Sequence, residues 1–234
     1  YVAAHLDISH RCTDDTERRA AKARVDLLTP VVKAWSSDTG IEVANTGVQI
    51  HGGMGFIEET GAAQHLRDAR IAAIYEGTNG IQANDLVGRK VGRENAETVL
   101  VLVEEMRELD AELAKAESAH IAATRQPFSL AIDALESASK WIADTWGADR
   151  AAVAAGAVPY LRLLGLTVGG WMTCRAALIA ERKLQGDEGD PAFLNAKLIS
   201  ARFFADQYLV QCPALDHTIR DGGAAVTAIE DAGF

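Results

Sequence analysis

The chain has 234 residues, of which 48% are apolar and only five are proline, and its net charge is −10. These values indicate a folded globular protein, and the length allows one large core or two smaller ones. Most of the acidic surplus follows residue 93, where 12 Lys and Arg stand against 21 Asp and Glu. This surplus repels nucleic-acid phosphates, so it argues against a nucleic-acid partner for this half.

The composition predicts an all-α protein. Alanine, leucine, glutamate and arginine are abundant, whereas alternating runs of β-branched residues are nearly absent. Cys12, Cys174 and Cys212 are widely spaced, which fits neither a disulfide framework nor a zinc site and favours a reducing compartment. The sequence starts at Tyr1 without methionine or a visible signal peptide, and we expect it to be a piece of a longer protein.

In the first 93 residues, cap residues and proline predict the helix boundaries. Thr13 or Asp14 should cap a helix over residues 17–28, and the pair Thr29-Pro30 should open a second helix that runs to His51. The apolar positions of this second helix are crowded enough to predict burial on most sides. A short helix is expected at 62–67 and another at 81–91.

From residue 95 the pattern becomes that of longer amphipathic helices. We predict one at 95–124 ended by Pro127, one at 128–146, and one at 149–184 kinked at Pro159. Asp190 with the proline after it should open a last long helix to Gln211. Residues 95–234 are therefore predicted to form a separate helical module.

The helix predicted at 149–184 is apolar enough to raise the question of a membrane span. Arg162 and Arg175 interrupt it, so no window of about 19 residues is convincingly free of charge. We therefore interpret it as a core helix and expect no membrane span.

The segment YEGTNGIQ at residues 75–82 is the candidate reactive site. Glycine allows a ligand to approach the backbone closely, and Thr78 or Asn79 can cap the helix that follows. A carboxylate just before a helix, here that of Glu76, can act as a general base. Read alone, most segments of this kind are ordinary turns, and the motifs upstream are needed to favour a reactive site.

Three motifs in order carry a family resemblance. They are QIHGGMGF at 49–56, RDARI at 67–71 and YEGTNGIQ at 75–82, and Glu76 lies 27 positions after Gln49. Together they resemble the C-terminal helical domain of the acyl-CoA dehydrogenases, over roughly residues 1–93. The resemblance implies an up-down domain that is like a four-helix bundle. The domain would be truncated, with its first helices missing, and the helical module at 95–234 would follow it.

The resemblance implies a flavoenzyme that converts an acyl-CoA into a trans-2-enoyl-CoA. Glu76 matches the base that removes the α-proton, hydride passes from the β-carbon to the flavin N5, and an electron-transferring flavoprotein takes the electrons onward. Ile71, Ile74 and Tyr75 supply apolar neighbours that suit a partly desolvated base.

Further positions match ligand contacts of the family. Tyr75 and Gly77 match substrate contacts, and Thr78, Asn79 and Gly80 match FAD contacts. Another set matches contacts with the FAD of a neighbouring subunit, namely Gln49, Ile50, His51, Gly52 and Gly53. The resemblance thus implies acyl-CoA and FAD as ligands and a homodimer or homotetramer. No metal site is expected, and His51 and His65 are interpreted as structural because no carboxylate cluster at ligand spacing accompanies them.

The C-terminal module narrows the resemblance to larger bacterial members, the group that includes 3-methylmercaptopropionyl-CoA dehydrogenases. Ala83, Asn84 and Asp85 stand where many members carry a basic residue. A cytoplasmic bacterial location follows from that group. The N-terminal helical domain and central β-domain of the family are absent from these residues, so the chain alone is expected to bind FAD poorly and to be inactive.

Three alternatives stay open. An acyl-CoA oxidase shares the fold, but oxidases of that kind tend to carry aspartate where Thr78 stands. A DNA-associated, alkylation-response relative, without a main role in β-oxidation, would need a basic C-terminal surface, which the acidic surplus opposes. Residues 95–234 could instead be a structural interface module, for which Trp141 and Trp146 are suited.

Overall fold

The computed structural model describes residues 1–226, 228 and 229, and within these residues every regular element is helical. The first part of the chain contains α1 (Val2–Arg11), α2 (Asp15–His51), α3 (Gly53–Phe56), α4 (Ala62–Arg70) and α5 (Asn79–Asp85). A π-helical segment, Leu86–Gly92, leads from α5 to the second part. That part contains α6 (Glu97–Leu113), α7 (Ala119–Trp146), α8 (Arg150–Ala155), α9 (Ala157–Gln185), α10 (Pro191–Gln207), α11 (Cys212–Asp221) and α12 (Gly223–Val226). The all-α prediction is confirmed.

Helix α2 begins where predicted but does not stop at proline. The Asp14 carboxylate accepts hydrogen bonds of 2.8 Å from the backbone N–H groups of Thr16 and Glu17, which is an N-cap. The prediction that a new helix opens at Pro30 is wrong, because α2 is continuous through it. Pro30 removes one helical hydrogen bond. It is itself buried, so packing against the core offsets that loss.

The predicted break at Pro127 is also wrong. Helix α7 runs through this proline, and the chain breaks earlier, between α6 and α7 at residues 114–118. Phe128, next to the proline, is fully buried in the core. The chain therefore reverses before Pro127, because α7 must lie along α6 to bury its apolar face.

The kink predicted at Pro159 occurs three residues earlier. Helix α8 ends at Ala155, and α9 begins after Gly156, whose missing side chain admits Ile219: a Cβ there would lie 3.2 Å from the Ile219 Cγ2. Pro159 is then the third residue of α9, a position that needs no backbone N–H partner within the helix.

Further along, Asp190 caps α10 as predicted. That helix ends at Gln207, and a 3₁₀ turn, Leu209–Gln211, follows it.

One hydrophobic core includes residues from both predicted segments. Leu27 and Leu86 pack in the same cluster as Met106, Leu135 and Tyr160, and each is at most 1% exposed. The division of the chain near residue 94 stays a prediction, while the core itself is continuous across it.

Helix α9 is long and apolar enough to cross a membrane by composition alone. In the structure 61% of its most apolar window is buried within the protein. The hydroxyl of Tyr160 lies 2.7 Å from the Ser139 hydroxyl in the interior, and burial raises the pKa of this tyrosine. These contacts are those of a core helix.

A buried arginine joins α2 to α6. The Arg24 guanidinium donates to both oxygens of the Glu105 carboxylate, with Nη1–Oε2 at 2.9 Å and Nη2–Oε1 at 2.6 Å. The Tyr1 hydroxyl completes the cluster. The hydrogen bonds from Arg24 hold the pKa of Glu105 below its usual value. This bidentate pair ties the first helices to the C-terminal helices.

The second half of α2 lies outside the core. No α2 residue after Ala34 is buried, and Val43 and Ile50 are 65% and 79% exposed. The prediction that residues 30–51 are buried on most sides is therefore wrong for this half. Helices α3 and α4 contact α2 but leave no residue of this half buried.

The close approach of Gly92 to Trp146 gives a testable prediction about packing. A Cβ at Gly92 would lie 2.6 Å from the Trp146 Cγ, whereas a Cβ at Gly147 would meet nothing within 4 Å. We expect Gly92→Ala to lower the free energy of unfolding by about 1–3 kcal/mol through overpacking. The control Gly147→Ala should leave it unchanged or raise it by up to about 1 kcal/mol. Urea unfolding followed by tryptophan fluorescence measures both, and equal midpoints would contradict this packing.

Candidate active site

The candidate site is a tight turn between a 3₁₀ segment, Ile71–Ala73, and α5. Glu76 has φ of 57° and Gly77 has φ of 78°, so two successive residues are left-handed. Glycine adopts this conformation freely, but at a residue with a side chain it costs roughly 1–2 kcal/mol. Such a conformation persists only where surrounding contacts enforce it, and it is common at functional sites.

Two side chains hold the carbonyl groups of these two residues. The Gln82 amide donates from Nε2 to the Glu76 carbonyl at 3.1 Å, and the Lys33 ammonium donates to the Gly77 carbonyl at 2.8 Å. Gln82 comes from α5 and Lys33 from α2. The turn is thus fixed from both sides.

The start of α5 is tied to α2 by the side chain of Asn79. Its Oδ1 accepts from the Lys33 Nζ at 2.8 Å. Its Nδ2 donates to the Ser37 hydroxyl at 2.9 Å, to the Asp38 carboxylate at 2.6 Å and to the Ala34 carbonyl at 3.1 Å. The side-chain amide of Asn79 is therefore committed to the protein itself.

Thr78 caps α5, as one of the two predicted candidates. Its Oγ1 accepts from the Ile81 N–H at 3.3 Å. Gly80 follows in the first turn, and a Cβ there would meet only this Thr78 oxygen, at 3.8 Å. Space for a ligand is open beside this glycine.

The Glu76 side chain takes no part in these hydrogen bonds. Its carboxylate is exposed and makes no hydrogen bond or ion pair with the residues that the structure describes. Ile71, Ile74 and Tyr75 around it are 56%, 46% and 52% exposed. The apolar neighbours predicted from the sequence are present, but within this chain they do not bury the carboxylate.

The Gln49–Gly53 segment lies at the far end of α2. Its five residues are all exposed, and Gly52, with φ of 60°, ends the helix. Since α2 is continuous from Lys33 to Gln49, the 16 intervening steps separate these two residues by about 24 Å along its axis. The structure therefore does not bring this segment together with the Glu76 turn.

His51 and Arg67, which lie outside the turn, have contacts within the protein. His51 is exposed, with its Nδ1 2.9 Å from the Gly47 carbonyl, and Arg67 pairs with Glu58 at 3.7 Å. His65 is exposed on α4. Within the described ranges, no group of three His, Cys, Asp or Glu residues has the arrangement of a metal site.

Sequence reasoning missed two residues that shape the site. Lys33 lies 44 residues before the carbonyl it contacts, and nothing in its local sequence distinguishes it from a surface lysine. Gln82 lies within the recognised motif, but only the folded turn shows that its amide reaches back to residue 76.

The all-α fold and the motif-bearing turn define a helical domain of the acyl-CoA dehydrogenase class, and comparison with known proteins agrees. Residues 8–91 match the family profile described as "Acyl-CoA dehydrogenase, C-terminal domain". Residues 102–230 match the one described as "Acetyl-CoA dehydrogenase C-terminal like". The chain belongs to the acyl-CoA dehydrogenase family, as the three motifs predicted.

Among curated relatives, the chain is 42% identical over 224 residues to the 3-methylmercaptopropionyl-CoA dehydrogenase of Ruegeria pomeroyi, covering 93% of this chain and 37% of that protein. It is 28% identical over 221 residues to a broad-specificity linear acyl-CoA dehydrogenase of Mycobacterium tuberculosis, covering 89% of this chain and 35% of the relative. The chain thus spans little more than a third of the length of these relatives.

A solved structure has the same fold. The acyl-CoA dehydrogenase of Bacillus anthracis, in complex with FAD, superposes with a TM-score of 0.67 at 18% identity. The match covers 99% of this chain and 40% of the other. The likeness extends through both the motif-bearing helices and the C-terminal helices.

Proposed function

We propose that these residues form the C-terminal part of a longer FAD-dependent acyl-CoA dehydrogenase that produces a trans-2-enoyl-CoA. The observation that carries the proposal is the turn at Glu76, whose backbone is fixed in a left-handed conformation while its carboxylate stays free. The backbone holds such a base in place, and its carboxylate does not have to break a hydrogen bond or ion pair before it accepts a proton. The names of the curated relatives support the reaction class.

Glu76 would act as the general base. An α-proton next to a thioester is weakly acidic, so a carboxylate oxygen of the base must be held about 3–3.5 Å from the carbon that loses it. The fixed turn supplies that placement. Substrate and the other domains of the longer enzyme would cover Glu76 and its exposed apolar neighbours, and removal of water would strengthen the base.

The thioester would lie against the turn itself. Tyr75 is half exposed beside Glu76 and offers an apolar ring to the acyl group. Gly77 leaves the backbone open to a close approach, since a Cβ there would have its nearest contacts at 3.5 Å, all within α5. These two residues would orient carbon 2 of the substrate toward the carboxylate.

The open surfaces in this chain fit FAD at two separate places. At the start of α5, Thr78, Gly80 and the backbone of Asn79 are available, whereas the Asn79 side chain is already committed to α2. At the end of α2, the exposed Gln49–Gly53 segment offers amide groups with open space around its glycines. When bound, FAD would supply the acceptor for the hydride that leaves carbon 3.

The distance along α2 supports an assembly of subunits. About 24 Å of helix separates Lys33 from Gln49, which leaves room for the two places to contact different FAD molecules, as in a homodimer or homotetramer. The exposed second half of α2 is available for such a contact.

We further propose an electron-transferring flavoprotein as the electron acceptor and a cytoplasmic bacterial location.

An acyl-CoA panel tests the proposed function. We expect anaerobic addition of at least one acyl-CoA to bleach the flavin of the full-length protein and to yield an enoyl-CoA lighter by two hydrogens. The 234-residue chain alone should neither retain FAD nor bleach it. Rapid reoxidation in air with peroxide formation would instead identify an oxidase, and no bleaching with any chain length would refute the proposal.

A further inference from the structure

The two left-handed residues of the turn differ in how their carbonyl groups are held. Gln82, which holds the Glu76 carbonyl, belongs to the helix that directly follows the turn. Lys33, which holds the Gly77 carbonyl, comes from a different helix and is the longest-range hydrogen-bonding contact of these two carbonyls. Lys33 therefore ties the backbone of the turn directly to α2.

The contacts of Lys33 distinguish it from a surface lysine. It is half-buried, and both of its hydrogen bonds, each 2.8 Å, go to neutral oxygens of the Gly77 carbonyl and the Asn79 side chain. Within the described part of the chain it forms no ion pair with a carboxylate. Hydrogen bonds from a charged donor are stronger than neutral ones, so this ammonium group is a rigid link between α2 and the turn.

Two charged side chains of α2, those of Lys33 and Asp38, hold the Asn79 amide from opposite sides. Lys33 has only donors, so it fixes the Oδ1 side of the amide, and the Asp38 carboxylate has only acceptors, so it fixes the Nδ2 side. The first residue of α5 is thereby held in one orientation on α2. Lys33 touches both ends of this arrangement, the Gly77 carbonyl and the Asn79 amide.

We propose that Lys33 is a positioning residue that holds the Glu76 carboxylate at the substrate α-carbon through the Gly77 carbonyl and Asn79, an inference that rests on the proposed function. Lys33 does not touch the substrate in this role. Without its ammonium group, the turn loses the bond between Gly77 and α2, and the carboxylate is free to move by a fraction of an ångström or more. A misplacement of about 1 Å can lower the rate of a reaction about 10²-fold.

The test uses the full-length, FAD-loaded enzyme and the substitution Lys33→Met, which keeps the aliphatic stem and removes the donors. The rate of flavin reduction at saturating acyl-CoA is expected to fall about 10- to 100-fold. The dissociation constant of the trans-2-enoyl-CoA product, whose binding requires no proton transfer, should stay unchanged. Lys33→Arg keeps a charged donor and should recover most of the rate.

Lys22→Met is the matched control. Lys22 lies on the same helix, is exposed and pairs with Asp26 one turn away, so its loss should leave flavin reduction at the normal rate. Thermal unfolding and FAD content of each variant are measured alongside.

Each outcome separates the inference from the proposed function. A normal reduction rate in Lys33→Met, with Glu76→Gln inactive, would overturn the role of Lys33 and leave Glu76 as the base. A slow rate accompanied by equal losses of product affinity or FAD content would assign Lys33 to general stability and would also overturn it. Normal reduction in Glu76→Gln would remove the proposed function and the inference together.

Discussion

Replacing Glu76 by glutamine in the full-length protein is expected to lower flavin reduction by acyl-CoA by several orders of magnitude, roughly 10³- to 10⁴-fold, at the upper end of what a general base contributes. The amide has nearly the same size and shape as the carboxylate but cannot accept the α-proton. The fixed backbone of the turn does not depend on the side chain, because Lys33 and Gln82 bind carbonyl groups. The variant should therefore fold and keep its geometry.

Stopped-flow absorbance of the flavin under anaerobic conditions measures this effect. FAD content and binding of a trans-2-enoyl-CoA should match those of the unmodified enzyme, which shows that the loss is in the chemical step. Glu188→Gln, which makes the same change in the exposed loop between α9 and α10, should reduce the flavin normally. Normal reduction in Glu76→Gln would show that another group removes the proton.

Phe128→Ala is expected to have the largest effect on stability. Phe128 is fully buried in the common core, next to Pro127 in α7. Removing its ring leaves a cavity that the surrounding helices cannot fill, and such substitutions lower the free energy of unfolding by about 3–5 kcal/mol. Urea unfolding of the chain followed by circular dichroism measures the change.

Phe203→Ala is the matched control for this substitution. Phe203 lies on α10 and is 58% exposed, so its truncation should change the free energy of unfolding by no more than about 0.5 kcal/mol. Equal losses in the two variants would mean that Phe128 does not lie in the core as described.

Local rules correctly predicted three capped helix starts. Asp14, Thr78 and Asp190 each accept a backbone N–H in the first turn of a helix, and these contacts depend only on residues two or three positions away. The three family motifs were equally readable, because each is a short, contiguous run of residues. Short-range signals of this kind are present in a single sequence.

Most of the wrong helix boundaries were predicted at prolines, because whether a proline ends a helix depends on how its neighbours pack. Pro30 and Pro127 both lie inside long helices that the sequence pattern ended there. The local cost of proline in a helix is about 3 kcal/mol, and buried side chains beside it, such as Phe128, can offset a cost of this size. A single sequence does not show which prolines have such neighbours.

Long-range polar contacts could not be predicted from the sequence either. The pair of Arg24 with Glu105 spans 81 positions, and the bond from Lys33 to the Gly77 carbonyl spans 44. Many lysines, arginines and glutamates could make such contacts, and their own neighbours in sequence do not identify the partner. The roles of the site residues and the division of the chain near residue 94 stay predictions.

The most direct test of the central claim measures proton removal without hydride transfer. A 3-thia-acyl-CoA carries sulfur in place of carbon 3, so it has no β-hydride to give, while its carbon 2 can still exchange protons with solvent. In D₂O, the full-length enzyme is expected to introduce deuterium at carbon 2, detected by mass spectrometry, and the Glu76→Gln variant is expected to introduce none above the rate without enzyme. Exchange by that variant at the rate of the unmodified enzyme would contradict the assignment of Glu76 as the base.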